Sequence, residues 1–144
     1  MKKTLGFLLV MGTLGWMSSA LATDYVTESN LTGFQLPKGA LELTDDDFPD
    51  EMVSLLEDVA QGMNGKCQYH ELLVWDGGNV DSLAEALVAR IPSTFTFKEL
   101  EAGAIDKNSN YEEFSLTSSK VWYAAVWMDS PENVLLGWCS VVKK

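Results

Sequence analysis

From Lys120 to Val142 the chain reads KVWYAAVWMDSPENVLLGWCSVV, two apolar runs on either side of the polar cluster Asp129-Ser130-Pro131-Glu132-Asn133. Turn-forming residues between two β-prone runs predict a β-hairpin. Successive side chains point to opposite faces of a strand. Val121, Tyr123, Ala125 and Trp127 therefore share one face, and Trp122, Ala124, Val126 and Met128 share the other. Both rows are apolar, so this strand expects cover on both sides.

Upstream, Asp45-Asp46-Asp47-Phe48-Pro49-Asp50-Glu51 opens a helix, with Asp47 as the expected cap, Pro49 in the first turn and carboxylates at the positive helix end. Met52, Leu55, Leu56, Val59 and Met63 recur at helical spacing, and Gly62 or Gly65 ends the run. Lys66 to Trp75 reads as a strand in which Tyr69, Leu73 and Trp75 alternate with His70, Leu72 and Val74. After the turn Asp76-Gly77-Gly78-Asn79, a second helix is expected from about Asp81 to Ile91. Ser82 and Glu85 form its capping box, Leu83, Ala84, Leu87, Val88 and Ile91 its buried face, and Pro92 its stop.

The period then changes to two. Phe95 and Phe97 alternate with Thr94, Thr96 and Lys98, and Phe114 and Leu116 alternate with Glu113, Ser115 and Thr117 across the polar turn 106–110. Short turns make antiparallel neighbours. The expected fold is α+β: two helices packed on one face of a curved antiparallel sheet, in the order α-β-α-β-β-β-β, with a four-strand C-terminal meander. Helix followed by a four-strand meander is an element order shared with cystatin-like and related cone-shaped folds, an analogy that says little about function. Residues 23–43 form a weakly patterned arm in which Gly39 to Leu43 adds a short edge strand, and 44–144 form one domain.

The first residues read MKKTLGFLLVMGTLGWMSSALA. Lys2 and Lys3 precede an apolar run from Leu5 to Met17, and Ala20-Leu21-Ala22 fits a cleavage box. The apolar run is shorter than the ~20 residues a spanning helix needs. Residues 1–22 therefore read as a cleaved signal peptide, the mature chain as periplasmic or secreted, and stable membrane insertion after cleavage is not expected. Cleavage removes both lysines and no acid, which moves the formal net charge from −11 to −13 over 122 residues. Such a surface repels nucleic acid and attracts basic partners. Cys67 and Cys139 are the only cysteines, and an exported chain with two usually pairs them.

Catalytic chemistry finds little support. His70 is the only histidine and Arg90 the only arginine. The neighbours of His70 give it a half-buried structural reading, because no positioned partner for a nucleophile can be found. Zinc spacing and phosphate-cradling glycine loops are absent from the sequence, and one histidine with two oxidised cysteines does not make a zinc site. Asp106-x-Asn108-x-Asn110 begins like a calcium loop, but Tyr111 stands where its glycine belongs and Thr117 where its glutamate belongs. No cofactor or metal is expected.

Two helices cover only one sheet face, so the second face of the hairpin strand calls for the arm, a second subunit in a homodimer, or a partner. Trp122, Tyr123, Trp127 and Met128 are the candidate binding residues, since aromatic side chains dominate interface energetics. The first functional expectation is a small acidic protein-binding module of the cell envelope, such as an inhibitor or immunity-type protein against a basic hydrolase or toxin. The second is a carrier holding a small apolar ligand in a pocket of the curved sheet. An enzyme using carboxylates or His70 stands third.

Overall fold

A computed structural model of the chain describes residues 25–76 and 79–144. Residues 1–24, which include the segment expected to be a signal peptide, and Gly77-Gly78 lie outside the described residues. The elements are β1 (Leu41–Leu43), a 3₁₀ turn (Asp45–Asp47), α1 (Asp50–Gly62), β2 (Gly65–Asp76), α2 (Val80–Ala89), β3 (Thr96–Asp106), β4 (Ser109–Thr117), β5 (Trp122–Asp129) and β6 (Asn133–Lys143). They form an α+β fold around one open antiparallel sheet of order β1-β2-β6-β5-β4-β3. The expected meander is β3 to β6, and β2 pairs with β6 to extend it.

The alternation in β5 builds two cores. Ala124, Val126 and Met128 pack under α1 with Met52, Leu56, Val59, Leu72 and Val141. Tyr123, Ala125 and Trp127 face the other way, with Leu73, Trp75, Leu116 and Trp138. That second face is closed by the arm, through Phe34, Leu36 and Ala40, and by α2, through Leu87. The helices thus lie on opposite faces of the sheet rather than together on one. The physical reason is that a strand apolar on both rows needs a layer on each side, and the arm supplies what one helix cannot.

Local signals set the helix ends differently from the expected caps. Asp47 belongs to the 3₁₀ turn, where its carboxylate accepts the Thr44 backbone N–H at 3.1 Å and the Thr44 hydroxyl at 2.9 Å. Pro49 is the N-cap residue of α1, and no side chain caps it. Asn64, not a glycine, takes the left-handed conformation after α1, at φ 61°, which asparagine tolerates. For α2 the cap is Asn79, whose side chain accepts the Ser82 N–H at 3.0 Å. The 106–110 turn closes on itself, with Asn108 N–H donating to Asp106 Oδ1 at 2.8 Å. This is an ordinary Asx turn.

Gly137 fixes the seat of α1. A Cβ there would overlap the Met52 side chain, so the helix approaches β6 closely only because the position carries no side chain. Cys67 and Cys139 form a disulfide between β2 and β6, closing a loop of 72 positions. Among the described residues no helix is long and apolar enough to cross a membrane.

Candidate binding groove

The hairpin residues singled out from the sequence do not form a free surface. Tyr123, Trp127 and Met128 are buried. Trp122 is half-buried, with Lys143 Nζ 4.5 Å from its ring centroid. The open face that motivated the set is filled by the arm: Phe34 meets Tyr123 edge-on at 6.1 Å and Trp138 at 5.8 Å. Burial pushes the Tyr123 hydroxyl up from its ordinary value, and that hydroxyl donates to the Leu31 carbonyl at 3.4 Å.

One of the four remains at a cavity. Trp127 lies on the floor of a groove between α2 and strands β3 to β5. Five apolar positions of the second helix were expected to be buried: Leu83, Ala84, Leu87, Val88 and Ile91. Of these only Leu87 is fully buried, and Val88 is 46% exposed. The helix stands off the sheet at the end where Phe97 and Phe114 project from β3 and β4. The gap is a slot of about 410 Å³ walled by Leu87, Val88, Ile91, Phe97, Phe114 and Trp127. Glu85, Glu99 and Glu112 border it.

A second cavity, of about 450 Å³, continues along α2 towards its N-terminus. It shares Ala84, Glu112 and Trp127 with the first, and adds Asp81 and Asp129. Among the described residues, no lysine, arginine or histidine lines either cavity. Lys38 and Arg90 line a separate cavity with Tyr25. The groove therefore combines an apolar floor, which favours an apolar occupant, with carboxylates on the helix, β3, β4 and β5. Low-dielectric walls strengthen such a field.

Part of this site was readable in the sequence. An apolar arc that includes Val88 as well as Leu83 and Leu87 is wider than a short helix buries against a sheet. The distance between α2 and β3–β4 depends on where the chain turns after Pro92, and no local pattern encodes that.

Two other constellations have chemical potential. Cys67, His70 and Cys139 hold their ligand atoms within 4.8 Å of one another. The two sulfurs are bonded together, which leaves His70 as the one donor of the three with a lone pair to offer as a strong ligand. His70 is exposed rather than half-buried: the bulge between Cys67 and His70 turns this part of β2 outward, and the ring rests edge-on against Phe48 at 5.7 Å.

The other constellation is Glu113, buried on the α1 face of β4. Its carboxyl is held above the ordinary 4.5, first by burial and then by the negative charges of Glu101 and Asp58. This group lies across the sheet from the groove. No protein-family model, curated protein or solved structure shows a significant match to the chain.

Proposed function

We propose that this protein is an exported, periplasmic or secreted binding module that docks on a basic protein, in the manner of an inhibitor or immunity protein against a basic hydrolase or toxin. The observation that carries the reading is the α2 groove, an apolar slot bordered by Glu85, Glu99 and Glu112 that, among the described residues, no cation lines. Apolar slots of this kind accept a partner's anchoring side chain. The acidic border favours partners with Lys or Arg beside that anchor and speeds their approach. Trp127, at the groove floor, is the one residue of the expected hairpin patch retained in this site. The Cys67–Cys139 disulfide suits an oxidising compartment, in keeping with the signal-peptide reading of residues 1–22. We take the role to be binding rather than catalysis.

The test is affinity capture from an envelope extract with the mature, oxidised protein, followed by mass spectrometry and binding kinetics. A basic partner whose association slows with added salt is expected. A partner that is acidic, or whose association ignores salt, would overturn the reading.

The slot also sustains a second reading, a carrier for a small apolar ligand. Its 410 Å³ falls within the range of small-molecule sites. Native mass spectrometry of exported material would show a retained ligand mass if this reading holds.

A further inference from the structure

We propose that the groove selects a bipartite segment of its partner, one large apolar side chain next to Lys or Arg, seated in an order fixed by two unlike ends. This rests on the docking reading above and specifies what the same site recognises.

The two ends differ in chemistry. Beneath Leu87 and Ile91 the walls are aliphatic and aromatic, closed below by Phe97 and Phe114. Towards the start of α2 the lining turns polar, with Asp81, Asn110, Glu112 and Asp129. Ala84, Glu112 and Trp127 border both, so the ends meet over a small residue, one carboxylate and the indole.

A free carboxylate at an apolar edge favours a cation that brings its own hydrocarbon stem. Lys and Arg do this, laying the stem along the groove beside Ala84 and keeping the charge in water. The floor of the adjoining slot takes an uncharged side chain, because an ion carried below the bordering Glu85, Glu99 and Glu112 would lose its hydration. The helix has ten residues, about 15 Å of length. An extended peptide covers that span in about four to five residues. A short segment with an apolar anchor and one or two flanking cations therefore fits both ends at once. A ligand with only one of the two features satisfies half of the groove.

The test uses the mature, oxidised protein and a short synthetic peptide, capped at both termini, with one Phe followed by Lys and Arg. Tryptophan fluorescence reports on the groove floor. The expected result is a saturable change that Trp127→Phe abolishes. Replacing the peptide's Phe by Ser, or its Lys and Arg by Glu, should weaken binding about tenfold or more. Ala84→Leu, which fills the junction of the two ends, should do the same without lowering the melting temperature. Val88→Asp, at an exposed wall position, is the second blocking variant should the first unfold. Glu112→Gln with Asp129→Asn should weaken binding at low salt and make it less sensitive to salt.

Equal binding of the acidic and basic peptides, or an unchanged affinity in both blocking variants, would overturn the proposal. So would displacement of the peptide by dodecyltrimethylammonium at lower concentrations than the peptide itself requires, which would assign the groove to a small cationic amphiphile. Failure here is separable from failure of the docking reading. A recovered basic partner that binds Ala84→Leu as well as wild type leaves docking intact and removes this groove from it. Peptide selectivity with no basic partner recovered does the reverse.

Discussion

The Trp138 indole N–H donates to the Glu71 carboxylate at 2.7 Å, across the β2–β6 pair and inside the core. The same oxygen accepts the Ser29 hydroxyl at 2.6 Å, and the second carboxylate oxygen accepts the Asn30 backbone N–H at 2.8 Å. One buried acid thus ties the arm to the sheet face it covers. Glu71→Ala leaves three donors without an acceptor, each costing about 1–3 kcal/mol when buried. The expected destabilisation is about 3 kcal/mol or more by denaturant unfolding, with faster hydrogen exchange at Asn30. A stability within about 0.5 kcal/mol of wild type would mean that the arm is held by Phe34 and Leu36 alone.

Glu113 makes stability depend on pH in a defined direction. Its carboxyl titrates above 4.5 in the folded chain because burial, and then Glu101 and Asp58, disfavour the charged form. The folded state therefore holds this proton more tightly than the unfolded state. The resulting stabilisation is complete below the unfolded value and is lost as pH rises through the folded one. Glu113→Gln should melt higher than wild type at pH 7, and the gap should close as pH falls below about 4. Melting curves across this range check it, and a gap that widens towards acid would contradict the burial of this group.

Trp127 and Trp122 separate core from margin. Trp127→Ala removes a buried ring and should cost about 3–5 kcal/mol. Trp122→Ala removes a half-buried ring and its contact with Lys143, and should cost no more than about 1–2 kcal/mol. Chemical denaturation of the two variants side by side measures the difference.

How far the sequence leads is visible in these same residues. The alternation of Trp122 to Met128 specified a strand covered on both sides, and the turns at 106–110 and 129–133 specified its neighbours, so the sheet was legible. The layer over each face was not. Phe34 and Leu36 sit in a stretch with no sustained period, yet they pack as fully as helix residues, because an extended arm needs only two or three anchors when the sheet supplies the rest. Glu71 falls in the strand row of Tyr69, Leu73 and Trp75, and no local pattern gives it a role. Its meaning depends on Ser29 and Trp138, which are 42 and 67 positions away.

The seat of α1 yields another expectation. Gly137→Ala places a methyl group where Met52 packs, and overpacking of this kind costs about 1–3 kcal/mol. Pairing it with Met52→Ala should recover part of the loss if the two groups compete for one space. A denaturant melt of the single and double variants decides this, and strictly additive losses would argue against the close approach.

The disulfide closes a long loop, which in the chain-entropy picture contributes about 4 kcal/mol. The Cys67→Ser, Cys139→Ser double variant should lose stability of that order, and reductant should leave its unfolding curve unchanged while destabilising wild type.

The α2 groove as the docking surface is tested most directly by locating the occupant. A two-dimensional amide NMR map of the oxidised protein lacking residues 1–22, recorded while the basic peptide is added, reports every backbone position at once. Shifts are expected at Ala84, Leu87, Glu112 and Phe114 and at the Trp127 indole, with α1 and the His70 bulge unmoved. Shifts gathered on α1 or around Tyr69 and His70, with the Trp127 indole unchanged, would place the binding surface on the opposite face of the sheet and contradict it.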